Sequence, residues 1–191
     1  MPLSREFPPP RRPARKQWLA AVLLAPALAA CAHQPDLAEP PPGKKLVLEK
    51  ALAGRTLGEG AFINSFTGGE TKFSVVIDGT WDGNILTLVE DFTYTNGTKE
   101  RKSWRLTKTA DGVFSGTRED VIDTAAVYQD GPGVRLDYTV TLTTGLGEIN
   151  VRFQDLLYLN ADGTIANKAV VSKWGLRVGR VDITMRPGAG S

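Results

Sequence analysis

The chain has 191 residues, with 23 basic and 21 acidic side chains, one cysteine and one histidine. This length suits one domain with its own core, and the composition excludes collagen, a coiled coil and a fully disordered chain. A single cysteine excludes an intramolecular disulfide framework and a cysteine-rich zinc site. The formal net charge of +2 indicates an anionic partner only if the basic residues lie in the folded part.

Residues 1–30 have the build of a secretory signal peptide. Five basic residues and one acid precede an apolar run over residues 18–30. This run is shorter than the ~20 apolar residues that a membrane-spanning helix needs. Removing residues 1–30 leaves 18 basic and 20 acidic side chains. The mature chain therefore carries a net charge of −2, and we expect no nucleic-acid partner.

The apolar run ends in the sequence Leu-Ala-Ala-Cys at residues 28–31. This sequence resembles the lipobox of bacterial lipoproteins, in which the cysteine is acylated and becomes the new N-terminus. The resemblance implies that Cys31 is the lipidation site and that its acyl chains anchor the protein in a membrane. The alternative is an incidental cysteine after an ordinary signal peptide. Ala32 follows where an aspartate favours the inner membrane, so the resemblance implies the outer membrane and a domain facing the periplasm.

The composition changes along the rest of the chain. Residues 31–45 have few large apolar side chains and contain a triple proline, which predicts an extended tether. Residues 46–186 are rich in threonine, valine and glycine and show no sustained helical period, which predicts one β domain. Residues 187–191 are predicted to be a disordered tail.

Asp-Gly and Asn-Gly turns separate segments of alternating apolar and polar residues in the domain. Sequential antiparallel strands joined by tight turns favour an up-and-down barrel, which leaves no sheet edge exposed. The predicted fold class is therefore all-β, a single lipocalin-like or calycin-like barrel. The predicted strands are 60–66, 71–79, 84–95, 98–109, 113–119, 123–129, 133–144, 148–159, 165–174 and 176–186.

The third and fourth predicted strands allow a register to be derived. The even positions of both strands carry the large apolar residues, so the even face is the inner face. A three-residue loop that ends in a left-handed Gly97 keeps even positions opposite even positions. This register places Leu88 opposite Trp104 and Glu90 opposite Lys102. If these two charges form a fully desolvated pair, Glu90→Gln is expected to destabilise the fold by about 3–5 kcal/mol.

Several strands carry polar side chains on the apolar inner face. One interpretation is a cavity in which these groups recognise a polar head while aromatic rings hold an apolar body. The alternative is a satisfied structural network, or polar groups that lie at the barrel mouth. The candidate ligand-binding residues are Glu90, Lys102, Trp104, Tyr138, Asp155, Asn167 and Lys173.

The folded domain has neither histidine nor cysteine, because His33 lies in the tether. Ser-His-Asp, Cys-His and histidine-ligated metal sites are therefore not expected. The acids at Glu119 and Asp120 lack the spacing of a calcium-binding loop, so no metal and no cofactor are expected. We expect a protein without enzymatic activity; a general base at Glu90 or Asp155 is the remaining enzymatic option.

A series of short motifs runs through residues 50–185. In order they are Gly60-x-Phe62, Gly79-x-Trp81-Asp82-Gly83, Leu88-x-Glu90-x-Phe92-x-Tyr94, Gly97, Trp104, Gly116, Asp120-Val121, Tyr138, Phe153-x-Asp155, Tyr158-Leu159, Asn167, Ser172-Lys173-Trp174-Gly175 and Gly179. Together they resemble the bacterial lipoproteins of Domain of Unknown Function 3833. The resemblance implies a lipocalin-like fold and carries no assigned activity.

The chain departs from that family's usual pattern at several positions. Lys102 stands where an arginine is usual, which keeps the charge but loses bidentate pairing with a carboxylate. Other departures are Asn64-Ser65, Gln154-Asp155-Leu156 and Asn167-Lys168. A site shared by the family is therefore expected to be altered in this chain.

Two classes of function follow from these patterns. The leading one is a lipid-anchored periplasmic barrel that binds or chaperones a small amphiphilic or lipid-like ligand. The alternative is a structural or interaction protein of the envelope, with a filled barrel, no ligand and a protein partner that the sequence does not identify.

Overall fold

The computed structural model describes residues 37–145 and 147–188. The signal peptide predicted over 1–30, Cys31 and the first part of the tether lie outside the described residues, and so does the tail from residue 189. None of the helices in the described ranges has the length and apolar character that crossing a membrane would require.

Ten antiparallel strands in the described part of the chain form a closed barrel with up-and-down topology, in which β1 pairs with both β2 and β10. The prediction of an all-β barrel is confirmed. A short helix, α1 (Leu48–Ala51), precedes the strands. The strands are β1 (Gly54–Asn64), β2 (Glu70–Trp81), β3 (Ile85–Tyr94), β4 (Lys99–Ala110), β5 (Val113–Thr117), β6 (Val121–Asp130), β7 (Gly133–Thr144), β8 (Gly147–Leu159), β9 (Ile165–Lys173) and β10 (Leu176–Pro187).

The derived register of β3 and β4 is confirmed. Leu88 pairs with Trp104, and Glu90 pairs with Lys102. Gly97 has a φ of 86°, and the Tyr94 amide donates to the Thr98 carbonyl across the three-residue loop. A non-glycine residue adopts this left-handed conformation only at a cost, so the turn residue and the register depend on each other.

The first strand begins earlier than the prediction of 60–66, because glycines lower its apparent β propensity. At Gly58 and Gly60 the space that a side chain would occupy is filled by Val75, Phe73 and Ile183 from the neighbouring strands. Strand formation here depends on packing across the sheet, which the local sequence does not show.

Residues 46–52, which include α1, close one end of the barrel. Leu46, Leu48 and Leu52 are buried. The Leu46 amide donates to the carbonyl of Pro132, and Lys108 forms an ion pair with Glu49 at 2.9 Å. We call residues 46–52 the plug.

The described part of the predicted tether, residues 37–45, lies against the barrel. Arg135 donates a hydrogen bond of 2.8 Å to the carbonyl of Ala38. Pro40 and Leu156 flank the same side of Gly133, and Leu156 is buried although its parity places it on the outer face. This segment therefore covers part of the outer wall, which a free extended tether would not do.

The opposite end, where β1–β2, β3–β4, β5–β6, β7–β8 and β9–β10 are connected, is the open end of the barrel. Large apolar side chains are exposed there: Phe66 is 75% exposed, Trp174 is 89% exposed and Leu176 is 62% exposed. The amide of Ser65 donates to the carbonyl of Val178, so the β1–β2 and β9–β10 connections lie side by side.

Candidate functional site

A cavity of about 630 Å³ runs inside the barrel from the plug to the open end. Leu48 and Leu52 line it at the plug, and Asn64, Phe66 and Thr144 line it at the open end. The strands place it there because their inward-facing side chains alternate with outward-facing ones along each strand. This volume lies within the range of cavities that bind small molecules.

Aromatic rings form one wall of the cavity. The ring of Tyr138 stacks on Phe153 with centroids 5.4 Å apart, and Trp104 meets Tyr138 edge to face at 5.0 Å. Farther toward the open end, Phe73 contacts the rings of Phe92 and Tyr94 at 5.5 and 5.8 Å. Such pairs hold the rings in fixed positions, so they present a preformed apolar surface.

Near the open end, an ionic cluster joins β4 to the β5–β6 connection. The ammonium of Lys102 lies 2.8 Å from Glu100 and 2.6 Å from Asp120. Arg118 contacts the Asp120 carboxylate through two nitrogens, at 2.6 and 3.2 Å. Burial raises the pKa of Asp120, but the hydrogen bonds from Lys102 and Arg118 outweigh it and hold that pKa below its usual value.

The expected ion pair between Glu90 and Lys102 is wrong, although the two residues are opposite each other. The Lys102 side chain extends toward Glu100 and Asp120, two carboxylates within reach of its flexible stem. Within the described ranges, no hydrogen bond or ion pair reaches the side-chain carboxylate of Glu90.

The Arg118 guanidinium links the ionic cluster to the aromatic wall. Its central carbon lies 4.6 Å from the ring centroid of Trp104 and 5.3 Å from that of Tyr138. The side chain is 9% exposed. Contact with two aromatic rings and pairing with Asp120 hold the guanidinium in place between the ionic cluster and the aromatic wall.

Asp155 lines the cavity next to the aromatic wall. Its Oδ2 accepts a hydrogen bond of 3.1 Å from the Tyr138 hydroxyl, and the residue is 6% exposed. Burial raises the pKa of Asp155 to about 6, opposed by the Tyr138 hydrogen bond, the charge of Arg118 and the Asn167 side chain. Asn167 is near enough to favour the charged form, yet Asp155 Oδ1 and Asn167 Oδ1 are buried without any hydrogen-bond partner of normal geometry in the described structure.

Glu90 faces the same region from β3. Burial raises the pKa of Glu90 to about 7; the positive charge of Arg118 lowers it, and the negative charge of Asp155 raises it further. Glu90 and Asp155 both line the cavity, and within the described residues neither forms a salt bridge. We call Glu90, Asp155 and Asn167 the acceptor cluster.

Six of the seven predicted site residues line this cavity: Glu90, Lys102, Trp104, Tyr138, Asp155 and Asn167. The prediction that Lys173 lines it is wrong. Lys173 ends β9 beside the open end, and its ammonium lies 4.6 Å from the exposed ring of Trp174. Its parity is inward, but the strand ends before the alternation carries the side chain into the cavity.

Sequence reasoning missed Arg118 and Asp120 as members of the site. Arg118 falls within the predicted strand 113–119, but β5 ends at Thr117, and both residues lie in the short connection between β5 and β6. The sequence offers a signal in Gly116, two residues before Arg118; in the structure a side chain there would meet Leu106 at 2.8 Å and Trp104 at 3.3 Å. A glycine that allows a tryptophan to lie against the backbone indicates a crowded wall.

The chemistry of these groups is recognition of an apolar body and a polar head. Hydroxyl, carboxylate, amide and guanidinium groups converge on a space whose remaining walls are aliphatic and aromatic. In residues 37–145 and 147–188, no cluster of three or more metal-ligating side chains is found.

The closed barrel with an internal cavity places the chain among lipocalin-like β-barrel proteins. A family model described as a protein of unknown function, DUF3833, matches residues 25–187, and the chain belongs to this family. Its fold is similar to that of the S-type phycobiliprotein lyase CPES from Guillardia theta, with a TM-score of 0.51 and 8% sequence identity. That similarity covers 74% of this chain and 91% of the lyase chain. No curated protein matches the chain.

Proposed function

We propose that this protein is a lipid-anchored lipoprotein of the outer membrane, facing the periplasm, whose barrel binds or chaperones a small amphiphilic ligand. The observation that carries the proposal is the cavity of about 630 Å³, plugged at one end and open at the other. An apolar wall and a localised set of polar groups are the complement of a molecule with an apolar body and a polar head.

A filled barrel that acts only as a structural or interaction protein is less well supported. The interior of a filled barrel is occupied by its own side chains at close-packed density. A volume of about 630 Å³ is far larger than the voids of such an interior. The structural similarity to a phycobiliprotein lyase supports the barrel fold of the proposal and not the ligand.

The barrel's proposed occupant is testable by gentle isolation of the full-length protein from membranes followed by native mass spectrometry. We expect a species heavier than the acylated polypeptide, which loses one small amphiphile on collisional activation. Organic extraction of the same sample should release a molecule that a parallel extract of an unrelated lipoprotein lacks. Protein that carries no such adduct and binds no amphiphile added at micromolar concentration would contradict the proposal.

The proposed anchor is Cys31. Support comes from the Leu-Ala-Ala-Cys sequence after the basic and apolar parts of the leader. Labelling cells with an alkyne fatty acid should mark the wild-type protein, and Cys31→Ser should abolish the label. His33→Ser, two residues away, is the matched control and should keep it. Unlabelled wild-type protein would contradict the anchor and leave the proposal for the barrel unaffected.

Binding without catalysis is part of the proposal. Glu90 and Asp155 are the residues that a general base would use, and they are also the groups available to a ligand's head. A ligand recovered after prolonged incubation should have an unchanged mass. Conversion of the ligand by the wild-type protein, lost in Asp155→Asn, would assign an enzymatic role instead.

A further inference from the structure

The acceptor cluster presents hydrogen-bond acceptors that the fold itself does not satisfy. Asp155 Oδ1 and Asn167 Oδ1 are both buried in the cavity lining without a partner in the described structure. A buried acceptor left without a donor is destabilising, so native proteins rarely keep two of them together. Two orphaned acceptors on one inner face indicate that the missing donors come from outside the chain.

The cations of the cavity are not available to supply those donors. The Lys102 ammonium already contacts Glu100 and Asp120, and the Arg118 guanidinium contacts Asp120 through two nitrogens. The Tyr138 hydroxyl donates its only proton to Asp155 Oδ2. The donors of Lys102, Arg118 and Tyr138 are therefore directed to other acceptors, and the Asn167 side-chain amide is the neighbouring donor that acts on Asp155.

The charge of the cavity lining also favours a donor that comes from outside the chain. Among the described residues, four carboxylates line the cavity, and only the two cations Lys102 and Arg118 oppose them. Glu100 and Asp120 neutralise both of these cations near the open end. Within the described residues Glu90 and Asp155 remain without an ion-pair partner, so the region around them attracts a positive group and repels an anion.

We propose that the ligand's head is a hydrogen-bond donor carrying positive charge, a protonated amine, and that it binds at Glu90, Asp155 and Asn167. This inference rests on the proposed function and names the class of amphiphile. An ammonium supplies up to three donors from one point, which suits two orphaned oxygens and a neighbouring carboxylate. A carboxylate or phosphate head would bring further acceptors to the same place and leave all of them without donors.

Competition between matched single-chain amphiphiles tests the inference. The neutral fluorescent probe N-phenyl-1-naphthylamine is bound to the delipidated full-length protein at pH 7.5 and displaced by dodecylamine, dodecanol, dodecanoate or dodecyl phosphate below their micelle concentrations. We expect dodecylamine to bind at least about tenfold more tightly than dodecanoate or dodecyl phosphate, with dodecanol between them. Equal or tighter binding of either anion would overturn the inference while leaving the proposed function in place. Failure of all four to bind would overturn both.

Variants locate the preference. Asp155→Asn should lower the affinity for dodecylamine about tenfold and change that for dodecanol by less than about twofold. Glu90→Gln is the second variant, should Asp155→Asn fail to fold. Asp137→Asn is the matched control, because Asp137 lies on the outer face and pairs with Arg152. An amine preference that survives both Asp155→Asn and Glu90→Gln would overturn the assignment to the acceptor cluster.

Discussion

A single carboxylate, Glu90, shows how the environment of one residue determines its effect on stability. It faces Lys102 across the strand pair, but Lys102 is engaged by Glu100 and Asp120. Charged groups that affect it are Arg118, Asp155, Lys102 and Glu119, and burial is the largest influence. The residue is therefore an acid held in a poorly solvated place, and no strong ion pair stabilises its charge.

We predict that Glu90→Gln stabilises the protein as the pH rises. Burial raises the pKa of Glu90 to about 7, from 4.5 in the unfolded chain. The folded state thus binds the proton more tightly, and the native carboxylate is destabilising once the pH passes 4.5. Because glutamine mimics the protonated form, the variant's gain in unfolding free energy should be about 2–3 kcal/mol larger at pH 8 than at pH 5.

Urea denaturation at the two pH values measures this difference. Glu59→Gln, on the exposed outer face of β1, is the matched control and should show no comparable change. A Glu90→Gln variant that is less stable at pH 8 would show that the carboxylate has a charged partner after all. It would restore the ion pair expected from the register alone.

Among the single elements, the β9–β10 hairpin has a tight turn that contains a residue poorly suited to the backbone conformation of that turn. Trp174 and Gly175 have φ values of 52° and 78°, and Lys173 pairs with Leu176 across the turn. Two left-handed residues between paired strands match the type I′ turn, which favours Asn-Gly. A tryptophan in this conformation costs about 1–3 kcal/mol, whereas an exposed contact with Lys173 returns about 0.5–1 kcal/mol.

Trp174→Asn is therefore expected to raise the unfolding free energy by about 1 kcal/mol. Chemical denaturation checks this, with Phe66→Asn as the control: Phe66 is a second exposed aromatic residue at the open end, and its backbone has no left-handed strain. A loss of stability in Trp174→Asn would mean that the indole supports the fold. A gain in stability would show that the wild-type indole does not support the fold, which is consistent with a role in contacting a ligand at the open end.

The plug depends on Gly79 of β2. A Cβ atom at this position would lie 1.8 Å from the carbonyl oxygen of Leu52, so Gly79→Ala must displace the plug from the barrel. We expect the variant to lose about 2 kcal/mol of stability. Hydrogen exchange should accelerate at the amides of Ala51 and Leu52, which are bonded within the plug.

Gly145→Ala serves as the control for Gly79→Ala. Nothing lies within 4 Å of a Cβ atom at Gly145, so this substitution should leave both stability and exchange unchanged. Unchanged exchange in Gly79→Ala would show that the plug adjusts without leaving the barrel end.

For the whole molecule, most of the fold follows from local patterns. Alternation and the Asp-Gly and Asn-Gly turns are local properties, so they predict the strands, and the loop length at Gly97 predicts a register. The start of β1 and the docking of residues 37–45 depend on contacts between distant segments. The glycines of β1 and the proline at Pro40 indicate these contacts only once the neighbours are known.

The candidate site likewise has a part that local patterns predict and a part that depends on contacts between distant residues. Parity brings Glu90, Trp104 and Asp155 to the inner face, because each lies in the middle of a regular strand. Parity does not determine ion pairs, since a lysine stem reaches several carboxylates: Lys102 bonds to Asp120, 18 residues away in sequence. Arg118 lies beyond the end of β5, so only the folded chain shows that its guanidinium lies over the Trp104 ring.

If the interior is a ligand cavity, filling it should remove binding without loss of stability. Ala169 of β9 lies on the inner face opposite Asp155 and lines the cavity. In Ala169→Phe the ring enters existing space, so the unfolding free energy should stay within about 1 kcal/mol of the wild-type value or rise. Binding of N-phenyl-1-naphthylamine should fall at least about tenfold, because the ring takes volume from the probe.

The matched control is Ala126→Phe, which adds the same ring to the exposed outer face of β6. Probe titration and thermal denaturation of the two variants separate loss of the cavity from loss of the fold. Full binding in a stably folded Ala169→Phe would mean that the probe binds outside the barrel. A strong loss of stability in Ala169→Phe, with Ala126→Phe unaffected, would mean that side chains fill the space around Ala169 in solution. That result would favour the filled barrel without a ligand.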